Sequence, residues 1–249
     1  MIQANMVNRE KQAKHKKGFS LVESLLCVSL FLIIVLTSLE FFDFTRNIFL
    51  KLKNKQESRE AAIAALDKMK TDLLNGGSGL LEPIQLGLCE GITQDESLLI
   101  ILSKDKNLSP LNDLFEGQTL ITLKSIYNVK KGMELCFFDS SKGEVKSISS
   151  VSKKDVVISS PLEYSYLKEK TGIILLKKIS LFLDKNKKIL RRKVNSSPSQ
   201  PLLEETSFFD FTYEKSTNLA SLRLALQSYK EKVYEIFVFP KNTAIATAR

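Results

Sequence analysis

The sequence predicts an α+β protein in which one long N-terminal helix packs on an antiparallel β-rich head. An apolar run extends from Phe19 to Leu39, and no Pro or Gly interrupts the chain from Phe19 to Asn75. After a Gly-rich segment at 76–79, short β-prone runs follow at intervals of roughly ten residues, separated by turn signals. The chain has 249 residues, of which 43% are hydrophobic, so it can build a core.

The apolar run predicts a membrane-spanning helix. Its only charged residue is Glu23, and a helix from Phe19 to Leu39 covers roughly 30 Å, the hydrocarbon thickness of a bilayer. Glu40 and Asp43 follow the run, whereas a basic cluster precedes it. Because positive flanks stay in the cytoplasm, we expect the head to be exported. The basic cluster consists of Arg9, Lys11, Lys14, Lys16 and Lys17.

Three alternative interpretations of the run remain open. A cleaved secretory signal has a shorter apolar core followed by small residues, but the residues that follow here are TSLEFFDF. A buried core helix fits poorly behind a lysine-rich stretch. An ordinary signal anchor fits the hydropathy but leaves Glu23 without a role, because an acidic side chain at the centre of a membrane span costs about 2.5–3.5 kcal/mol.

A cut between Gly18 and Phe19 would give Glu23 a role. Phe19 would then carry a new α-amino group, and the Glu23 carboxylate could neutralise the ammonium of a neighbouring chain in apolar surroundings.

Residues 16–23, KKGFSLVE, together with the apolar run, resemble the prepilin cleavage and methylation motif of type IV pilins and type II secretion pseudopilins. The resemblance implies that a membrane aspartyl prepilin peptidase cuts after Gly18. It implies that Phe19 becomes the N-methylated first residue, and that Glu23 docks each subunit into a filament. Major pilins commonly have a helix-breaking Pro where this chain has Glu40. The subunit that tips some filaments lacks the docking glutamate, so Glu23 argues against that role.

The segment from Ser159 to Tyr213 resembles the tail of PilW-type minor pilins and GspJ-type pseudopilins. The shared order is an extended segment, a strand, an Asp-containing turn, a strand ending in Arg-Arg, a loop and a strand. This resemblance favours a minor subunit over the principal one, as does the size of the head.

The family resemblance implies a pilin-like fold in four segments. They are a basic leader at 1–18, a transmembrane and assembly helix at 19–39, its amphipathic continuation at 40–75, and a periplasmic β-rich head at 76–249. The protein would sit in the inner membrane with a cytoplasmic N-terminus and then enter a pilus or pseudopilus. The implied partners are other pilin or pseudopilin subunits, the prepilin peptidase and an assembly platform protein.

Spacing predicts that the second half of the helix is amphipathic, with an apolar stripe against the head. The residues at 75–79 should end the helix. The stripe consists of Ile63, Leu66, Met69, Lys70, Leu73 and Leu74. The opposite positions hold Arg59, Glu60, Asp67 and Asp72.

The head is predicted to be an antiparallel, meander-like sheet. Its predicted strands are Leu98–Leu102, Thr119–Leu123, Glu134–Phe138, Val156–Ser159, Ile173–Leu176, Lys178–Leu183, Ile189–Lys193, Phe209–Tyr213, Leu219–Leu226 and Glu231–Phe239.

Two cysteines, Cys89 and Cys136, lie outside the membrane run and could form a disulfide in an oxidising periplasm. Two buried free thiols are the alternative. Lysine-rich turns of the head could bind DNA, as in competence pilins, although charge runs are usually solvated faces. We find no catalytic or nucleotide-binding motif and one histidine, His15, so we expect no enzyme, cofactor or metal site.

The sequence therefore predicts a minor pilin or pseudopilin that is processed and then assembled into, or primes, a filament. The alternative is a signal-anchored periplasmic binding or adhesion domain that never polymerises. Subunits of pilus, type II secretion and DNA-uptake systems share the N-terminal processing motif and apolar helix, so the sequence does not distinguish these systems.

Overall fold

A computed structural model describes residues 20–95, 97–229 and 232–247. The chain divides after Asn54 into two compact units. One helix, α1 (Leu21–Leu74), contributes to both units, and the second unit is otherwise rich in antiparallel strands. This confirms the predicted α+β class, with one long N-terminal helix and an antiparallel β-rich domain. Phe19, where we expected the helix to begin, lies outside the described residues.

In the part of the chain that the structure describes, the second unit adds two further α-helices, a short 3-10 turn at Gln227–Tyr229 and a series of strands. The helices are α2 (Leu81–Gln85) and α3 (Lys241–Thr247). The strands are β1 (Ile92–Asp95), β2 (Leu98–Leu108), β3 (Leu120–Thr122), β4 (Glu134–Phe138), β5 (Gly143–Ser152), β6 (Asp155–Ile158), β7 (Gly172–Asp184), β8 (Ile189–Val194), β9 (Gln200–Leu203), β10 (Thr206–Glu214), β11 (Leu219–Leu226) and β12 (Val233–Val238).

The larger, 9-stranded sheet has the order β1-β2-β7-β4-β5-β6-β3, with β8 paired to β7 and β9 paired to β8. The long strand β7 organises it. Its first half, from Gly172 to Leu176, pairs with β2 and β4, and its second half pairs with β2 and β8. The sheet is therefore only partly a meander, because β7 inserts between β2 and β4.

The smaller sheet is a 3-stranded meander, β10-β11-β12. One continuous apolar core lies between the inner face of this sheet, the last turns of α1 and strands β1, β2, β7, β8 and β9. A second core lies among β3, β4, β5, β6 and β7. A third, smaller core places the segment around α2 over β4 and β7.

The predicted apolar stripe of α1 is partly wrong. Ile63 and Leu74 are 43% and 39% exposed, and Lys70 is exposed as well. The face that packs inward includes two alanines, whose small side chains allow the helix to lie close to the sheets. Alanines are weak signals in a search for large apolar residues, so the predicted stripe lies off centre. The residues that pack inward are Ala62, Ala65, Leu66, Met69 and Leu73.

Asp72, which we assigned to the solvent side, is also buried. Its carboxylate accepts two hydrogen bonds from the Arg192 guanidinium of β8, one from Nε at 2.6 Å and one from Nη2 at 3.0 Å. Such a bidentate pair fixes both partners in one relative orientation. Removal of one member of a buried pair typically costs about 3–5 kcal/mol, because the other charge is left uncompensated.

Most predicted strands are present, with four kinds of error. The predicted strand Leu98–Leu102 ends too early, because β2 continues to Leu108. Two predicted strands, Ile173–Leu176 and Lys178–Leu183, are one strand, β7. The observed last strand, β12 (Val233–Val238), is shorter than the predicted strand Glu231–Phe239. Glu231 lies outside the described residues. Strands β1, β5 and β9 were not predicted. In β5 the inward positions include Glu144 and Lys146, so the alternation of apolar residues that signals a strand is missing.

We expect the observed face of α1, and not the sequence-derived stripe, to carry its packing energy. Leu66→Ala should lower the free energy of unfolding by about 2–5 kcal/mol, because it leaves a cavity in the core. Ile63→Ala, at an exposed position on the same turns, should lower it by less than about 1 kcal/mol. Chemical denaturation of the detergent-solubilised full chain, followed by circular dichroism, measures both. Equal losses for the two variants would contradict the observed face.

Candidate functional site

The Glu23 side chain caps the first turn of α1. The helix begins at Leu21, and the Ser24 amide donates to the Ser20 carbonyl oxygen at 3.0 Å. Oε2 of Glu23 accepts a hydrogen bond from the Ser20 backbone N–H, also at 3.0 Å. This contact is one half of a capping box, in which a glutamate three residues after a serine satisfies an amide that the helix leaves free.

The capping contact gives Glu23 a local role that we did not predict. The signal is present in the sequence as the spacing Ser20-x-x-Glu23 immediately before an apolar run. A carboxylate in the first turn is also favoured by the helix dipole. Glu23 therefore has an intramolecular role, and any intermolecular role adds to it.

The following turns of α1 present apolar side chains outward. Apart from Val35, the large hydrophobic residues from Leu21 to Leu39 are each more than half exposed. Within the described residues, α1 is the one helix that is long and apolar enough to cross a membrane, and it lies near the N-terminus. An apolar surface of this extent is unfavourable in water and is matched by lipid or by other apolar helices.

Three hydroxyl side chains in this apolar stretch bond to the helix itself. The Ser29 hydroxyl donates to the Leu26 carbonyl oxygen at 2.9 Å, and the Ser38 hydroxyl donates to the Ile34 carbonyl oxygen at 2.7 Å. Thr37 donates in the same way to the carbonyl oxygens of the preceding turn, at 3.0 Å. Hydroxyls bonded in this way need no water, so they are compatible with a hydrocarbon environment.

The processing residues that the family resemblance implies, Gly18 and Phe19, lie outside the described residues, as does the whole basic leader. Of the predicted N-terminal site residues, the structure therefore places Glu23, at the start of an exposed apolar helix.

The two cysteines of the head lie in the same small core. Cys136 is fully buried in β4, and Cys89 packs against that core from the segment that follows α2. In the structure their two sulfur atoms are not bonded to each other. Burial, with smaller contributions from Glu134 and Glu90, raises the pKa of Cys89 to about 11. Burial, with a smaller contribution from Cys89, raises the pKa of Cys136 to about 12. Raised thiol pKa values make both side chains poor nucleophiles.

We expect Cys89 in the folded chain to be alkylated at pH 8 about a hundredfold more slowly than in urea, because its raised pKa leaves that much less thiolate. The folded thiol holds its proton more tightly than the unfolded one. Its contribution to stability is therefore fully present below pH 9.0 and is lost as the pH rises through about 11. Mass spectrometry after timed iodoacetamide pulses measures the rates.

The same experiment tests the predicted disulfide. Protein taken from its host without reductant should be alkylated at both positions in urea if the thiols are free. Failure of Cys89 and Cys136 to react until a reductant is added would show that they are bridged.

A buried polar network lies on the inner side of β5. The Glu144 carboxylate accepts hydrogen bonds from the backbone amides of Glu163 and Tyr164 and from the Tyr166 hydroxyl. Lys146 Nζ lies 2.9 Å from Glu144 and 2.7 Å from Glu163. Burial alone would lower the pKa of Lys146, but the bonds to the two carboxylates outweigh it and raise the pKa. These charges bond to one another and to the backbone, so the network anchors the segment before β7.

A cleft of about 830 Å³ lies between the α2 segment and the ends of β2, β4 and β7. Lys104 and Lys170 line it together with Glu82 and Asp139. Asp139 already accepts backbone hydrogen bonds from the turn between β4 and β5, at 2.8 and 3.0 Å. The described residues that line the cleft include no histidine or cysteine. Over the described ranges, no group of three His, Cys, Asp or Glu side chains is placed to hold a metal ion.

The basic turns that could bind DNA are partly engaged within the protein. Arg191 pairs with Asp184 at 3.1 Å, and Arg192 pairs with Asp72. The Lys188 ammonium donates to the Gln227 side chain at 3.0 Å. These contacts leave fewer free cations on β8 and its preceding turn than the sequence alone indicates.

Comparison with known proteins does not identify a family. No protein-family profile matches the chain, and no curated protein sequence matches it. Two phage tailspikes are similar over part of their structures. The Gp54 tailspike of Acinetobacter baumannii bacteriophage AP22, solved with A. baumannii capsular saccharide, is 18% identical over 31% of this chain, with a TM-score of 0.28. The gp49 tailspike of Pseudomonas phage LKA1 is 20% identical over 30% of this chain, with a TM-score of 0.27. The matches cover only 15% and 14% of the tailspikes' own lengths.

Proposed function

We propose that this protein is a minor pilin or pseudopilin, a structural subunit that is cut after Gly18 and then assembled into, or primes, a filament through α1. The observation that carries the proposal is Glu23, a single carboxylate in the first turn of an otherwise uncharged and exposed apolar helix segment. The prepilin-like residues immediately before it support the same assignment.

Two physical terms bear on the proposed assembly, one neutral and one favourable. The apolar surface of α1 from Leu21 to Leu39 packs equally well against lipid and against other apolar helices, so the helix can leave the bilayer for a helical bundle. The Glu23 carboxylate neutralises the Phe19 ammonium of a neighbouring subunit. In low-dielectric surroundings this pairing avoids two uncompensated charges.

One observation favours the alternative, a signal-anchored domain that does not polymerise. The hydrogen bond from the Ser20 amide to Glu23 accounts for the carboxylate without a neighbour. The two functions therefore differ in whether Glu23 is needed for its charge or for its hydrogen-bond acceptor.

Processing is tested first by the intact mass and N-terminal sequence of the protein from membranes of its own host. We expect a chain that begins at Phe19 and carries one added methyl group. Gly18→Val should leave the leader attached, because a bulky side chain fills the cleavage junction. Ala4→Val, which places the same side chain elsewhere in the leader, should be processed normally. A wild-type chain that begins at Met1 would refute the proposal and leave the signal-anchored alternative.

The role of Glu23 is tested with two substitutions that separate charge from capping. Glu23→Gln keeps a capping acceptor but removes the charge, and Glu23→Ala removes both. We expect both variants to be processed, and both to be lost from sheared filaments by at least about tenfold, since one unpaired buried charge costs more than about 1.4 kcal/mol.

The matched control is Glu40→Gln, which removes the same charge from the same helix beyond the apolar stretch and should leave incorporation unchanged. Normal incorporation of Glu23→Gln together with reduced incorporation of Glu23→Ala would assign Glu23 to capping alone.

A further inference from the structure

Strand β12 is the open edge of the smaller sheet. Among the described residues it pairs only with β11. The other edge of this sheet, β10, is tied to neighbouring segments. The Tyr213 amide of β10 donates to the Gln94 side chain of β1 at 2.7 Å, and the Thr206 amide donates to the Lys188 carbonyl oxygen at 2.8 Å.

Natural proteins usually protect an open edge with lysines, a proline, a bulge or a very short strand. β12 has six residues, Val233–Val238, with the sequence VYEIFV and a register that runs without a bulge along β11. Its only charged residue is Glu235. Of the strands that end the larger sheet, β1 and β9 have four residues and β3 has three, and β9 contains Pro201. β12 is therefore the least protected of these edges.

The two faces of β12 differ in their surroundings. Tyr234, Ile236 and Val238 face the first core. Val233 and Phe237 face outward and are 52% and 61% exposed. An exposed phenylalanine at 239 follows just past the strand, so the outward face is apolar at both ends.

A single charged row crosses the centre of the outward face. Glu235 lies opposite Arg223 of β11, which lies opposite Asp210 of β10. Arg223 also forms an ion pair with Asp210. The charged row therefore ends in a carboxylate at the open edge.

We propose that β12 pairs with β12 of a second copy of this chain, antiparallel and centred on Ile236, so that two smaller sheets join into one. In this register position 233 lies opposite the partner's position 239, and position 235 lies opposite the partner's position 237. On the inner face position 234 lies opposite the partner's position 238, and the two Ile236 side chains face each other.

The choice of a second copy follows from the pattern of the strand itself. Antiparallel self-pairing about Ile236 joins each position of the run at 233–239 to its mirror position. The pairs 233 with 239, 234 with 238 and 236 with 236 are then apolar on both sides, and the remaining pair joins Glu235 to Phe237. The register also keeps the two Glu235 carboxylates from lying directly opposite each other, which would be unfavourable. Main-chain hydrogen bonds along the joined edges would supply the remaining stabilisation. The inference does not depend on filament assembly.

Two substitutions of opposite charge at Phe237 test the pairing and its register together. Phe237→Lys places an ammonium opposite the partner's Glu235, twice in each dimer, whereas Phe237→Glu places two carboxylates opposite each other. Both substitutions remove the same exposed side chain and add one charge. Sedimentation equilibrium of the full chain in density-matched detergent micelles gives the dimer dissociation constant. Thermal unfolding of each variant checks that the fold is kept.

We expect the wild-type chain to dimerise and Phe237→Glu to dimerise at least about tenfold more weakly than Phe237→Lys, with the difference shrinking at high salt. Equal dissociation constants for the two variants would overturn the proposal, because association through α1 or through a general apolar patch does not distinguish the sign of the charge. A wild-type chain that stays monomeric at the highest concentration reached would overturn it as well.

Discussion

The ion pair between Asp72 and Arg192 fixes how the last turns of α1 lie on the sheets. The two residues are 120 positions apart in sequence, and both side chains are largely buried, with two hydrogen bonds between them. A rotation of the helix by one residue would turn Asp72 through about 100°, away from Arg192, and would leave a buried guanidinium without its partner. Apolar packing along Ala62, Ala65 and Met69 tolerates small shifts, whereas this pair tolerates very little. The pair therefore fixes these turns against β8, and through it against the neighbouring strands β7 and β9.

A similar use of buried charge organises the other end of the larger sheet. Glu144 and Lys146 occupy inward positions of β5 and bond to the segment that leads into β7. Charges at these places contribute little net stability, because their desolvation offsets much of their attraction. They do select one arrangement of the connecting segment, since a different one would leave a carboxylate or an ammonium buried without a partner. In both places the polar pair specifies the geometry that the surrounding apolar core stabilises.

Local sequence pattern was enough to predict the span of α1, its end near Asn75, and strands β4 and β11, because uninterrupted apolar periodicity and nearby turn residues determine them. Two of the errors share one cause, which is that tertiary partners decide the outcome. Asp72 is buried because Arg192 reaches it, and β5 is a strand although two of its inward positions are charged. Neither partner is visible within a short window of sequence. At the candidate site the sequence pointed to Glu23 but not to its capping contact. The prepilin-like motif spans the same residues as the capping box and already gives the carboxylate a role in docking.

The internal hydroxyl bonds of α1 have a consequence for how easily this helix can change its surroundings. Ser29, Thr37 and Ser38 donate to carbonyl oxygens of their own helix, so what a neighbour meets is mainly methyl groups and rings. Contacts of that kind are non-directional, and each atom pair is worth only about 0.1–0.2 kcal/mol. Exchange of a lipid tail for a protein side chain then breaks no side-chain hydrogen bond at these positions. At these positions α1 therefore offers a neighbour no directional contact that would select one rotation or one depth of the helix against it.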